Sequence, residues 1–263
     1  MIQIQLLQSI PVILQSDGAR ENQFNCDLFN KDNASYNIKK KEFEFLREIY
    51  GHSDVKNALK TAQYKKCCYC ESISENTSYG AVEHYRPKGA VIPGKKQTKI
   101  YPGYYWLAYE WKNLLFICQR CNTNKGAYFP LEDDSQRARN HTQSIANESP
   151  LFIHPAIDDP SQHIDFHDDA IVSLTLKGKT TIEYLKLERT DLFESRKKVF
   201  VIFKHLVDTA QIFYGDITLQ NFYNDALAII KEYLSVSSQY SAMINTYFKQ
   251  FSHLPEFSGI NAI

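Results

Sequence analysis

The chain has 263 residues, 43% of them hydrophobic and 23% charged, with 30 basic and 30 acidic side chains cancelling to a net charge of zero. This composition excludes a disordered, collagen-like or coiled-coil protein, and the length suits one large domain or a few small lobes around a shared core. No stretch reaches the roughly 18 consecutive apolar residues of a membrane span, and the Gln-dotted opening lacks a basic leader, so a soluble, cytoplasmic protein without membrane partners is expected.

In chain order, Ile2-Gln3-Ile4-Gln5-Leu6 alternates with period two and predicts a short strand or extended arm. Phe43, Leu46 and Tyr50 recur at helical spacing before Gly51, and Ser53 is the expected N-cap of a second short helix running into Tyr64. Asn76 to Gly80 reads as a polar loop, and Ala81 to Tyr85 as a short strand stopped by Pro87. A basic loop with Arg86, Lys88, Lys95, Lys96 and Lys99 follows. Tyr104 to Trp111 predicts a short aromatic helix, and Asn113 to Ile117 a buried strand.

Residues 127–170 hold four prolines and read as a wrapping connection. Farther on the pattern turns helical. Phe200, Phe203, Val207 and Ala210 share one helix face, and Phe222, Ala226, Ile229 and Tyr233 share another; both stripes are expected in the core. The expected organisation is an N-terminal arm with helices over 1–63, a central block over 64–170 and a helical region over 171–263.

The zero net charge hides a polarity. Residues 60–126 carry 11 basic and 4 acidic side chains, whereas residues 127–170 carry 2 and 9. A basic block of this kind prompts a search for a polyanion site. The alternative is two solvated faces that neutralise each other.

Six cysteines occupy positions 26, 67, 68, 70, 118 and 121. Cys67 with Cys70 and Cys118 with Cys121 form two C-x-x-C pairs, the usual arrangement of a tetrahedral four-thiolate zinc site. Each short turn lets two sulfurs converge on one ion, so two turns close the shell. A thioredoxin-like redox motif needs only one such pair. Cys26 and Cys68 are expected as buried thiols outside the ligand set.

Within this zinc staple lie Glu83-His84 on a strand, Asn113 opening a second strand, and Asn122 just after the last cysteine. The order resembles the ββα-metal core of HNH nucleases. Val82-Glu83-His84-Tyr85-Arg86-Pro87-Lys88, Trp106 to Leu115, Cys118 to Gly126, and Glu148 to Pro155 with Asp158-Asp159-Pro160 are similar to the HNH subunits, called PtuB, of Septu-type and retron-associated anti-phage systems. The resemblance covers roughly residues 64–165 in four ordered words. It implies an α+β fold with a zinc-stapled ββα core and mainly helical flanks. It also implies an endonuclease acting on nucleic acid, DNA expected ahead of RNA, in a hetero-oligomer with an ABC-type, PtuA-like ATPase docked by the flanks.

The residue types suit that chemistry. Phosphodiester hydrolysis needs a base for water and a cation at the phosphate. His84 has an intrinsic pKa near ~6.5, right for a base at neutral pH. Glu83 and the Asn122 carbonyl are hard oxygen ligands that suit Mg²⁺ or Mn²⁺. Asn113 is expected to brace the loop that holds His84, and Arg86, Lys88 and Lys125 to contact phosphates.

Neighbours on a strand face opposite ways, so the strand must end or bulge at Glu83-His84 for both to reach one site. Some HNH enzymes carry a further His where this chain has Gly126, so a three-ligand catalytic zinc site is not implied. His154, His163 and His167 lie among several aspartates and suggest either a second metal site or, preferably, an acidic solvated connection. A deaminase is excluded because neither H-x-E nor P-C-x-x-C occurs in place. The competing class is a zinc-organised module that joins nucleic acid and ATPase without cutting; a zinc-ribbon transcription factor ranks last.

Overall fold

A computed structural model describes residues 1–6, 8–73 and 80–262; the loop expected at Asn76 to Gly80 lies outside the described residues except for Gly80. The fold is α+β, with two small antiparallel hairpins among helical flanks. The opening residues are extended without a strand, tied by the Ile4 amide donating to the Pro155 carbonyl at 2.9 Å.

Helix α1 (Ala19–Asn37) follows a π-helical turn at Leu14–Gly18. Sequence patterning does not foresee it, because its inward face carries Asn22 and Asn25 beside Phe29 and Tyr36, so no apolar stripe marks it. Asn22 donates to Glu110 at 3.1 Å instead. Helix α2 (Arg47–Tyr50) is shorter than the Phe43–Tyr50 spacing suggests, and α3 runs Ser53–Ala62. The α3 cap is His52, not Ser53: its ring accepts from the Asp54 amide at 3.2 Å.

Strands β1 (Ala81–His84) and β2 (Leu114–Ile117) pair antiparallel, with Glu83 opposite Leu115 and His84 opposite Leu114. Helix α4 (Gln119–Lys125) follows β2 directly, capped by Cys118 and ended at Gly126, whose φ of 47° favours glycine. The expected helix over Tyr104–Trp111 is instead two 3₁₀ turns, Tyr105–Leu107 and Trp111–Asn113. Strands β3 (Ile164–His167) and β4 (Ala170–Ser173) form the second hairpin.

Helices α5 (Leu176–Leu185), α6 (Thr190–Phe213), α7 (Gln220–Leu234) and α8 (Ser241–Phe248) complete the chain. In α5, a Cβ at Gly178 would sit 1.9 Å from the His163 carbonyl oxygen, so only glycine allows that approach. The α6 stripe Phe200, Phe203, Val207 and Ala210 is buried as expected. The α7 stripe needs correction: its buried residues are Ala226, Ile230 and Leu234, while Phe222 and Ile229 are exposed. Both sets fit helical spacing, and the packing of α6 selects the second.

One apolar cluster runs from the cysteines and Leu115 through Phe129 and Phe152 to α6, α7 and α8. A second joins Ile49, Val55 and Leu59 to Leu114, Phe116 and Trp111. Strand β2 therefore lies between them, buried at every residue. Among the described residues, no helix is long and apolar enough to cross a membrane.

Candidate functional site

The four cysteines of the two C-x-x-C turns converge: the sulfurs of Cys67, Cys70, Cys118 and Cys121 all lie within 4.8 Å of one another, and all four residues are buried. Cys70 and Cys118 sulfurs stand 3.7 Å apart. Four sulfurs at the ~2.3 Å Zn–S distance of a tetrahedron are separated by about 3.8 Å, so this cluster has the spacing and donor type of a structural zinc site. The Cys121 amide points at Cys118 Sγ (3.5 Å) and the Arg189 guanidinium at Cys121 Sγ (3.7 Å). Both offset the negative charge of a four-thiolate shell. Cys68 is buried outside the cluster, its amide donating to the Phe116 carbonyl at 3.1 Å.

The first cysteine turn is anchored by a buried ion pair. Lys66 Nζ lies 3.0 Å from Glu71 Oε2 and also donates to Ser238 O and Ser241 Oγ. The Met1 amino group sits 2.7 Å from the other Glu71 oxygen.

Beside the staple opens a polar cleft of about 360 Å³, lined on one side by Glu83, His84, Gln119 and Asn122. Strand β1 ends at His84, which lets adjacent residues reach one cleft. The His84 ring is only 3% exposed. Its Nε2 lies 2.8 Å from the Ala108 carbonyl, so Nε2 carries the proton and donates, and the unprotonated Nδ1 accepts from the Lys88 ammonium at 3.3 Å. Burial, then the Lys88 ammonium 3.3 Å from Nδ1, hold this imidazole well below its ordinary range, against the pull of the Ala108 carbonyl. At neutral pH the ring is uncharged, and it is a weaker base than the free imidazole expected from sequence. Tyr50 packs edge-on against it, centroids 4.8 Å apart.

Asn113 ties the surrounding turns. Its Oδ1 accepts from the Arg86 amide at 2.8 Å, while Nδ2 donates to the carbonyls of Arg86 (3.1 Å) and Leu107 (3.0 Å). The same side chain thereby fixes the strand end after His84 and the turn that presents the Ala108 carbonyl.

Two of the three expected phosphate contacts lie elsewhere. Lys125 is fully buried, donating to Glu83 Oε1 and the His84 carbonyl, each at 2.8 Å. A helix cation aimed back at the strand end holds Glu83 in place and is not presented to a ligand. Arg86 turns inward too, 2.8 Å from Glu148, a carboxylate that also accepts from Tyr104. The acidic wrapping segment does pack on the basic block at this point. Only Lys88 lines the cleft; burial holds its ammonium down to about 8, with Glu83 opposing and Lys125 assisting.

Glu83 keeps one oxygen beyond its Lys125 contact, and Asn122 lines the same cleft; both are hard oxygen donors, the type that a divalent cation takes. Among the described residues, the histidines near residues 154–167 form no metal-type cluster with aspartates. His154 Nε2 pairs with the Lys112 carbonyl at 2.9 Å and His163 Nδ1 with Thr175 Oγ1 at 2.9 Å. Sequence reading also missed the opposite wall of the cleft, Arg47, Tyr50 and Lys56 from α2 and α3. Their segment is close to neutral, so no charge run pointed there.

No family model matches the chain. Over 163 residues it is 44% identical to the Septu protein PtuB of Bacillus mycoides (strain KBAB4), covering 60% of this chain and 55% of that protein. It is 34% identical over 152 residues to the Septu protein PtuB of Bacillus thuringiensis, covering 56% and 48%. A Septu protein PtuA of Bacillus mycoides (strain KBAB4) is 32% identical over 146 residues, which is 54% of this chain but 20% of that protein. The chain spans about half the length of the curated PtuB relatives it matches. Over three-fifths of its length, it is a homologue of proteins named Septu protein PtuB.

Proposed function

We propose that this chain is the nuclease component of a Septu-type anti-phage system, a metal-dependent HNH endonuclease that hydrolyses phosphodiester bonds, DNA ahead of RNA. The observation that carries the reading is His84: a buried, neutral imidazole whose tautomer is set by the Ala108 carbonyl, beside a hard-oxygen pair in one cleft. His84 Nδ1 takes the proton of a water as its oxygen bonds to phosphorus and the P–O bond to the leaving sugar oxygen breaks. A divalent cation on Glu83 and Asn122 would neutralise charge on the phosphate and the leaving oxygen. Lys125 holds the Glu83 carboxylate, and Asn113 keeps the base in register.

The partner in this reading is a PtuA-like, ABC-type ATPase. Its support is the resemblance of this chain to a fifth of a protein named PtuA, and the apolar side chains of Ile212, Ile217 and Phe222, 74%, 90% and 60% exposed near the α6–α7 turn. Plasmid, single-stranded DNA and tRNA incubated with the full chain and Mg²⁺ or Mn²⁺, with and without the ATPase encoded beside it, test the proposal. Cleavage lost in His84→Ala supports it. Nucleic-acid binding without cleavage in any arm favours the non-cutting module instead.

A further inference from the structure

Resting on the nuclease reading, the second wall of the cleft has a role of its own. Arg47 and Lys56 line the same cleft as Glu83, His84 and Asn122, close enough to each other for Arg47 to act on Lys56. Their helices are fixed to the site. Ile49, Val55 and Leu59 pack on Leu114 and Phe116. The Gln63 side chain donates to the Phe116 carbonyl at 2.7 Å and accepts from its amide at 2.8 Å, much as a third strand would. The Leu46 amide donates to Tyr109 Oη at 2.8 Å. The two cations therefore stand at a set offset from His84.

They are also uncompensated. Among the described residues, neither Arg47 nor Lys56 has a carboxylate within ion-pair distance, whereas Lys39, Lys41 and Lys95 each do. The acids of the same helices, Glu48 and Asp54, do not line the cleft, and Asp54 faces His52 at 3.6 Å. Burial first, then Lys60 and Arg47, push the Lys56 ammonium below its ordinary range. Lys88 adds a further cation over the Tyr50 ring, 4.5 Å from its centroid. The carboxylate in the same lining, Glu83, is already paired with Lys125, so Arg47, Lys56 and Lys88 outnumber it and favour an anion between them.

We propose that Arg47 and Lys56 form a phosphate-binding wall that grips the nucleic-acid backbone beside the phosphate presented to His84. Tyr50 and Lys88 floor the gap between wall and base. The α2–α3 pair then sets where the strand lies.

Fluorescence anisotropy of labelled single- and double-stranded DNA with the full chain, without added Mg²⁺ or Mn²⁺ and over a range of NaCl, tests this. Arg47→Ala with Lys56→Ala should weaken binding at least about 10-fold and lower the slope of log affinity against log salt by about 2, one per lost phosphate contact. Arg47→Lys with Lys56→Arg should keep both, at an unchanged melting temperature. An alanine variant with the parent's affinity and slope overturns the wall, as does a parent chain that binds neither DNA. If His84→Ala still cuts while the alanine pair loses binding, the base assignment fails and the wall stands.

Discussion

Among the described residues the molecule contains two antiparallel strand pairs of the same size, and one of them borders the candidate site. In each, two four-residue strands pair antiparallel. Strand β2 is buried at all of its residues, whereas β4 buries Ile171 alone. The first hairpin is fixed at several points: Gln63 on Phe116, Lys125 on the end of β1, Asn113 across the turns, and the cysteine turns at its base. The second carries Asp165, His167, Asp168 and Asp169, residue types as suited to metal chemistry as those of the first. Metal-type side chains become a candidate site where enclosure fixes their orientation; on the second hairpin His167 and Asp168 are exposed, and Asp165 is taken up by Thr246 and the Phe166 amide.

Removing the staple should break this comparison most severely. Metal analysis of protein purified without added zinc is expected to give about one zinc per chain. Cys67→Ser or Cys121→Ser should lose the metal and most of the soluble fold, since zinc binding at such a site is part of the folding free energy. Both variants keeping full stability, with no zinc in the parent, would remove the staple from the account.

The next largest effect sits at the strand end. His84→Ala is expected to keep its fold and zinc while cleavage falls by at least about 10²-fold, the contribution of a general base. Glu83→Ala and Asn122→Ala should match it, and added Mn²⁺ should restore part of the Asn122→Ala loss. An active His84→Ala protein would assign the water to another group.

Lys66→Ala tests what anchors the first cysteine turn. It removes one of the two cations on the buried Glu71, leaving the Met1 amino group at 2.7 Å and the Ser241 hydroxyl, so the expected loss is that of a charged hydrogen bond, about 1.5–3 kcal/mol. Urea denaturation is the measurement, and a loss below about 1 kcal/mol would show that the Met1 amino group and Ser241 hold Glu71 without Lys66.

How much of this was legible in sequence differs between the regions for physical reasons. The cysteine spacing, the strand at Ala81, the strand before Ile117 and the α6 stripe are local patterns, and the chain adopts them. The inward turn of Lys125 and Arg86 was not legible, because partners 42 and 62 residues away decide it. Helix α1 escaped because buried asparagines replaced its apolar stripe. On α7, periodicity permits several stripes, and only the packed α6 surface chooses Ile230 over Ile229. The bracing geometry of Asn113 followed from its place at the head of a strand; the basic wall of α2–α3 needed the fold.

The smallest expected effect lies on the second hairpin, where the comparison is sharpest. His167 ends β3, exposed, opposite Ala170, and Asp168 holds the turn with a φ of 54°. Replacing His167 with Ala removes an exposed group of the kind that would serve a metal. Surface changes of this sort stay within about 0.5 kcal/mol. The His167→Ala variant should therefore keep its zinc content, its urea midpoint and its cleavage rate, while the His84→Ala change at the end of β1 silences the chain. A several-fold fall in cleavage at unchanged stability would show that the open hairpin reaches the substrate, and enclosure would then no longer separate the two.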